Sequence, residues 1–338
     1  MKKNKYVFVA AMLITMLLVG FIFTNLYVMQ QPLTAKEEYK EGDISIVTSF
    51  YPVYIATLNI VGDTQGVHVE NLSEPKTGCL HDYTLTTADM KLLSSCDVFV
   101  VNGGGIESFL EDVTKAYPSI TVVEACKDVQ LLEETAQGHH HEEEEEEHED
   151  EDEHEHAHEG EEEMNAHGWM SVETYKAMIK SITNQLVKAD PKHAASYRKN
   201  AKVYDTKLTM LQKEQEECAE FLNGFKIISF HSAFSYVAKD YGMDVVCCID
   251  FDEERPVSAG EVAQILEAIQ HDGATLILAE RLYGEKMAEA ILSEDDVEVA
   301  VLYLNPLNKG DNNPDSYLLA MQENIDVIKE MMEAACEK

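Results

Sequence analysis

Histidine is the residue type through which this chain could do chemistry, and its thirteen histidines fall into two sets. Seven stand in one tract: His139, His140, His141, His148, His154, His156 and His158. Between residues 139 and 163 they are joined by sixteen acids, one Ala and one Gly. The other six are His68, His81, His167, His193, His231 and His271. Three of these fall in loops next to regular elements. His81 lies in "GCLHDYTLTTADM", His167 in "NAHGWMS", and His231 in "IISFHSAF", directly after a strand-like run. A neutral imidazole is a ready ligand for zinc, which takes three protein ligands at about 2.0–2.1 Å when a fourth position stays open. Three loop histidines from separate segments suit that need, although each taken singly is an ordinary polar loop residue. His68 falls within a strand, and His193 and His271 read as exposed helix residues.

The elements that must position these side chains follow from periodicity. Strand-like runs begin at "ISIVTSF" (Ile44 to Phe50), "GVHVEN", "DVFVVN" and "ITVVEA", with helical stretches between them. Pro52 opens the first helix, Thr86 or Thr87 caps the next through Leu93, and a third starts near Ser108. Such alternation predicts a parallel sheet covered by helices. Residues 171 to 222 read as helix almost throughout, broken at "ADPKH". Pro191 suits a first helical turn, which predicts a second helix over 191–222, roughly 45 Å long at 1.5 Å per residue. Alternation then resumes with "KIISF", "AFSYVAKDYG", "MDVVCCI", a helix with the capping box Ser258 and Glu261, "ATLILAE", "VEVAVLYL" and a last helix from about Ser316. The expected fold class is α/β: two lobes, each a parallel sheet flanked by helices, joined by one long rigid helix. The lobes read as similar units, and a cleft between them is the expected place for a ligand. In open α/β sheets ligands sit beyond the carboxyl ends of strands, where His81 and His231 fall, one per lobe.

The expected domains are a signal or membrane anchor over 1–29, a polar tether over 30–42, and an N-terminal lobe over 43–170 that carries a disordered loop at 138–163. A helical region over 171–224 with its linking helix at 191–222 and a C-terminal lobe over 225–338 complete the chain. At the start, Lys2, Lys3 and Lys5 precede an uncharged apolar run from Tyr6 to Phe23, near the length that spans a bilayer. No small-x-small cleavage signal and no lipid-accepting Cys follow it, which favours an anchor over a cleaved secretory signal. Lysines inside place the remainder outside the membrane. Formal net charge is −37, and the chain without the tract's sixteen acids still stands at −21. Nucleic acid is thereby excluded as a natural partner, and cations are favoured. Seven cysteines, with no CxxC, argue against a cysteine zinc knuckle and leave at least one thiol unpaired; most read as small buried hydrophobes.

Six segments in order make the chain resemble the metal-binding solute-binding proteins of ABC importers for zinc and manganese. They are "TSFYPVYIATLNIVGD", "HDYTLTTADMKLLSSCDVFVVNGGGIESFLEDV", "HGWMS", "ADPKHAASYRKNA", "SFHSAFSYVAKDYGM" and "GDNNPDSYLLAMQENIDVI". The resemblance runs from about Ile44 to Ile328. It implies that His81, His167 and His231 hold the metal, and that a histidine in the third place marks the zinc branch. Imidazole suits zinc, whereas manganese prefers oxygen ligands, so Mn²⁺ is the less favoured cargo. Many relatives carry Asp two residues before or after the H-x-W core, where this chain has Met170 and Ser171. For a fourth ligand the candidates are Glu280 and Asn305, with Cys79 outside them.

The family places a loop of variable length before its second ligand, which is where the tract falls. Having no apolar surface to bury, the tract cannot fold alone. Its histidines and carboxylates suit several weak sites that collect zinc near the cleft; a solvated loop with no role would explain the acids but not seven histidines. The expected function is a non-enzymatic, extracytoplasmic zinc receptor, monomeric, docking on a membrane permease driven by a cytoplasmic ATPase. Weighed against it are a manganese or iron receptor of the same family, a zinc-dependent hydrolase, and a surface metal buffer or adhesin. A hydrolase needs a general base that no motif here nominates.

Overall fold

The computed structural model describes residues 40–72, 83–134, 164–251, 258–294 and 297–336. Outside them lie the N-terminal apolar run, His81, Cys79 and the whole His/acid tract. The elements below belong to one unit, Gly42–Lys338.

Two four-stranded parallel sheets organise that unit. The first is built from β1 (Ile44–Thr48), β2 (Val67–Asn71), β3 (Val98–Val101) and β4 (Thr121–Glu124), in the order β2-β1-β3-β4. Its helices are α1 (Tyr51–Val61), α2 (Thr87–Leu93) and α3 (Leu110–Ala116). The second contains β7 (Lys226–Ser229), β8 (Asp244–Cys248), β9 (Leu276–Ala279) and β10 (Ala300–Tyr303), in the order β10-β9-β7-β8. Its helices are α6 (Phe234–Tyr241), α7 (Ala259–Glu267) and α8 (Arg281–Leu292). Each sheet starts with a central strand, adds the next strand on one side, and then crosses over to add the third and fourth on the other. The lobes are therefore the same topological unit. β3 and β9 are buried along their whole length, as parallel strands covered on both faces require.

Between the lobes run α4 (Val172–Ala189) and the linking helix α5 (Ala194–Leu222), and the chain closes with α9 (Ser316–Cys336). Capping follows the sequence: the Thr86 side chain accepts from Asp89 N–H, that of Ser171 from Thr174 N–H, and that of Ser258 from Glu261 N–H. Gly242 ends α6 in a left-handed conformation, φ 67°, which a residue with a Cβ adopts only under strain.

The linking helix departs from expectation at its start. It begins at Ala194 rather than Pro191 and is 29 residues long. Asp190 is the reason: its carboxylate accepts from His193 Nδ1 and from the Tyr197 hydroxyl, both at 2.6 Å. These bonds hold the chain in a turn before the helix can begin. His193 is consequently not an exposed helix residue, as its side chain is 11% exposed. His68 lies in β2 and bonds Asp43 at 2.9 Å, and His271 is exposed in a single π turn after α7. Cys126 and Cys218 are buried free thiols, Cys96 and Cys247 are half-buried free thiols, and burial pushes the thiols of Cys96 and Cys126 up to about 12.

The core does not divide with the sheets. One apolar cluster takes in Ile46, Phe99, Tyr175, Leu208, Tyr236, Leu278 and Tyr317, which come from both lobes and the helices between them. A second fills the outer face of the C-terminal sheet around Ile228, Phe230, Ile277 and Ile291. Polar ties reinforce the shared core. The Tyr51 hydroxyl donates to the Asp311 carbonyl (2.7 Å), Tyr175 to Pro52 (2.9 Å), Tyr317 to Trp169 (2.9 Å), and Trp169 Nε1 to Pro306 (2.9 Å). The rings of Tyr175 and Tyr317 stack at 3.7 Å.

Candidate metal site

In an open parallel sheet, loops leave the carboxyl ends of neighbouring strands in opposite directions where the order reverses, and a crevice opens there. Here the reversals lie between β1 and β3 and between β7 and β9. In the C-terminal lobe, β7 pairs with β9 with Ser229 beside Leu278. His231 is two residues past Ser229, and Glu280 two residues past Leu278. His231 and Glu280 therefore follow the two strands that flank this crevice, at matched positions. His231 is 2% exposed and both its ring nitrogens are shielded from solvent, as is Glu280 Oε2.

His167 reaches the same place from the other side. A two-stranded antiparallel ribbon, β5 (Leu132–Glu133) with β6 (Met164–Asn165), carries the chain in, and one 3₁₀ turn (Gly168–Met170) carries it on into α4. His167 sits between the two and is 3% exposed. Its ring centroid lies 4.9 Å from that of His231, at an interplanar angle of 76°. Two imidazoles bound tetrahedrally to one zinc at about 2.0–2.1 Å would have centroids roughly 5 Å apart, so the observed pairing fits a shared ion. Trp169, 5.1 Å from His167, and Phe234, 5.8 Å from His231, wall the pair with aromatic surface. A low-polarity wall strengthens whatever electrostatic bond forms inside it.

Asn165 governs the His167 ring. Asn165 Oδ1 accepts from the His167 backbone N–H at 3.1 Å and meets His167 Nδ1 at 3.0 Å. Because a backbone N–H can only donate, that amide atom must be the oxygen. Nδ1 must then carry a proton, which leaves Nε2 with its lone pair for a metal. Asn165 stands two residues before His167, a position not covered by the expectation that named Met170 and Ser171 around the H-x-W core. Its signal was a polar residue at i−2 from a ligand candidate.

In the N-terminal lobe the crevice is organised by Glu107. Its Oε1 accepts from the Ser49 hydroxyl (2.7 Å) and the Asn102 N–H (2.6 Å), and its Oε2 from the Gly103 N–H (2.9 Å). Asn102 in turn donates to the Ala166 carbonyl at 2.9 Å. Gly104, at φ +70°, lies where a Cβ would meet Leu131 at 3.0 Å and Ala166 at 3.3 Å. A glycine is therefore needed for the loop carrying His167 to approach so closely. His81 lies outside the described residues, but the chain on either side is placed: Leu72 N–H donates to the Thr48 carbonyl at 2.7 Å, and Tyr83 packs edge-on against Phe50 at 6.0 Å. Both anchor at the carboxyl end of β1. Among the described residues no three His, Cys, Asp or Glu side chains gather as a metal cluster; the pair His167 and His231 is what they bring together. Asn305 is engaged elsewhere, its Oδ1 accepting from Leu307 N–H (2.9 Å) and its Nδ2 donating to Glu323 (3.0 Å).

A two-lobed α/β binding protein, with paired imidazoles where the lobes meet, is the class that this fold and site define. The chain belongs to the ZnuA family, "zinc-uptake complex component A periplasmic", whose model matches residues 46–331. Among its relatives, the high-affinity zinc uptake system protein ZnuA of Bacillus subtilis is 31% identical over 297 residues, covering 86% of this chain and 89% of that one. The zinc-binding protein AdcA of Streptococcus pyogenes is 28% identical over 303 residues, covering 87% of this chain and 57% of the longer AdcA. In structure the chain resembles the solute-binding protein FpvC of Pseudomonas aeruginosa in complex with Mn²⁺ (TM-score 0.70, 23% identity, 86% of this chain and 99% of that). It also resembles Zn(II)-bound AdcA of Streptococcus pneumoniae (TM-score 0.65, 24% identity, 86% and 57%).

Proposed function

We propose that this protein is the extracytoplasmic receptor of a zinc importer, and that it binds one Zn²⁺ as cargo through His81, His167 and His231. The reading is carried by one observation: in a chain of the ZnuA family, two buried imidazoles from different segments approach within 4.9 Å where the two lobes meet. His81 is included as the third ligand on the strength of the resemblance; the described residues nearest to it in sequence, Leu72 and Tyr83, are held at the carboxyl end of β1. Glu280 is the fourth ligand in this reading, because its carboxylate leaves the strand end next to that of His231, whereas the Asn305 side chain is already engaged. Three imidazoles and one carboxylate favour zinc over manganese, both by donor type and by the Irving–Williams order.

Such a site captures an ion and releases it unchanged, so the protein is a receptor and not an enzyme. It acts as a monomer and delivers to a membrane permease coupled to a cytoplasmic ATPase, from outside the membrane. The N-terminal apolar run serves export or anchoring. The tract at 139–163 supplies accessory weak sites through His139, His140, His141, His148, His154, His156 and His158, which hold zinc near the cleft.

The test is a competitive Zn²⁺ and Mn²⁺ titration of the exported part with residues 139–163 deleted. One tight site that prefers zinc should remain, while the extra weak equivalents disappear. Loss of all tight binding on that deletion would make the tract the principal site and overturn the reading.

A further inference from the structure

We propose that Asn165 is the positioning residue of the metal site: it presents His167 to the ion and ties the His167 loop to the His231 loop across the two lobes. The proposal rests on the histidine site described above and names what holds it in register. Asn165 is fully buried. Its oxygen accepts from the His167 backbone N–H and faces His167 Nδ1, at 3.1 and 3.0 Å. Its nitrogen donates to the Ser232 carbonyl, the residue next to His231, at 2.9 Å. One end of the amide meets an obligate donor and the other an obligate acceptor, so its orientation is fixed from both sides.

The backbone around it is pinned as well. The Asn165 carbonyl accepts from the Tyr236 hydroxyl (2.7 Å), which itself accepts from Leu132 N–H (3.0 Å), and the next carbonyl, Ala166, accepts from Asn102 (2.9 Å). Asn165 thus joins β6, the His167 turn and the start of α6 in one network. An amide is required for this task. An ionised carboxylate would still accept from His167 but would have no proton for Ser232 and would face its carbonyl oxygen. A hydrocarbon would satisfy neither. Groups that orient a ligating histidine typically change metal affinity 10–100-fold when removed.

Asn165→Leu and Asn165→Asp in the full chain test this. Three readouts are compared: zinc affinity against a chelator strong enough to keep the weak sites empty, the visible bands of the Co²⁺-loaded protein, and hydrogen exchange of amides 232–236 without metal. Asn165→Leu should weaken zinc about 10–100-fold and move the cobalt bands. Asn165→Asp should weaken zinc less, because His167 keeps its acceptor, yet both variants should exchange faster at 232–236. Variants that melt earlier but keep zinc affinity, cobalt bands and exchange unchanged would overturn the proposal. If Asn165→Leu does not fold, Asn165→Asp decides alone, and unchanged exchange overturns the tie. His167→Ala and His231→Ala are the controls. If they bind zinc as the unaltered chain does, the histidine site itself fails; if they lose it while both Asn165 variants behave normally, only the role of Asn165 fails.

Discussion

Glu107 brings a carboxyl group into the core of the N-terminal lobe, where three donors converge on it. Burial pushes its pKa from 4.5 up to about 7, while the Ser49 hydroxyl and the Gly103 and Asn102 N–H groups pull it down. Since the folded value is the higher one, the native state holds a proton that the unfolded chain has already lost. The stability this contributes is complete below about 4.5 and is lost as pH rises through about 7. Urea unfolding of the metal-free protein at about pH 5 and about pH 8 should therefore show a fall that Glu107→Ala lacks. The variant should also be weaker at both, since it strands buried donors at about 1–3 kcal/mol each. An equal fall in both proteins would show that another group titrates. Little of this could be seen in the sequence. "NGGGIE" marks a tight loop after a strand, but nothing in it says that the Glu turns inward. His167 and His231 stood out in the sequence as loop histidines in segments that resemble a metal-binding family, His231 directly after a strand-like run; Asn165 did not, because an amide in a loop is ordinary and its value lies in what faces it.

At the scale of elements, the linking helix is held by its first turn. Asp190 is buried and accepts from Tyr197 and His193. Burial would raise its carboxyl, but these two bonds outweigh that and hold it below the ordinary 3.8. A depressed carboxyl contributes stability above the ordinary value and loses it as pH falls through the folded value. Tyr197→Phe deletes a donor to this charged acceptor and should cost about 1.5–3 kcal/mol near neutral pH. The difference from the unaltered protein should shrink in acid, measured by urea unfolding at both. A cost that is constant with pH would mean that the ring, not the hydroxyl, supports the turn. Strands and helices of both lobes were legible because buried parallel strands read as short apolar runs between capped helices. The ribbon β5–β6 was not, because two residues per strand carry no period. The start of α5 was misplaced because Pro191 suits a first turn locally, while the Asp190 bonds that delay the helix involve a side chain seven residues away.

At the scale of the whole molecule, two copies of one α/β unit meet over a shared core, and each has its strand-order reversal at the carboxyl ends of its central strands. Periodicity announced the two units and the helix between them. It could not announce that tyrosines and a tryptophan would fasten them together, since those partners are carbonyls more than 120 residues distant in sequence. On the proposed reading, a receptor built this way would bind its cargo with ligands from both sides of a junction held together by packing. The most direct test is diffraction across the zinc absorption edge from crystals of the zinc-loaded protein. One strong anomalous peak should lie between His167 and His231, bonded to His167 Nε2 and to His81, with Glu280 completing the tetrahedron. A principal peak away from the His167–His231 pair, or one there that His81 does not reach, would contradict the account.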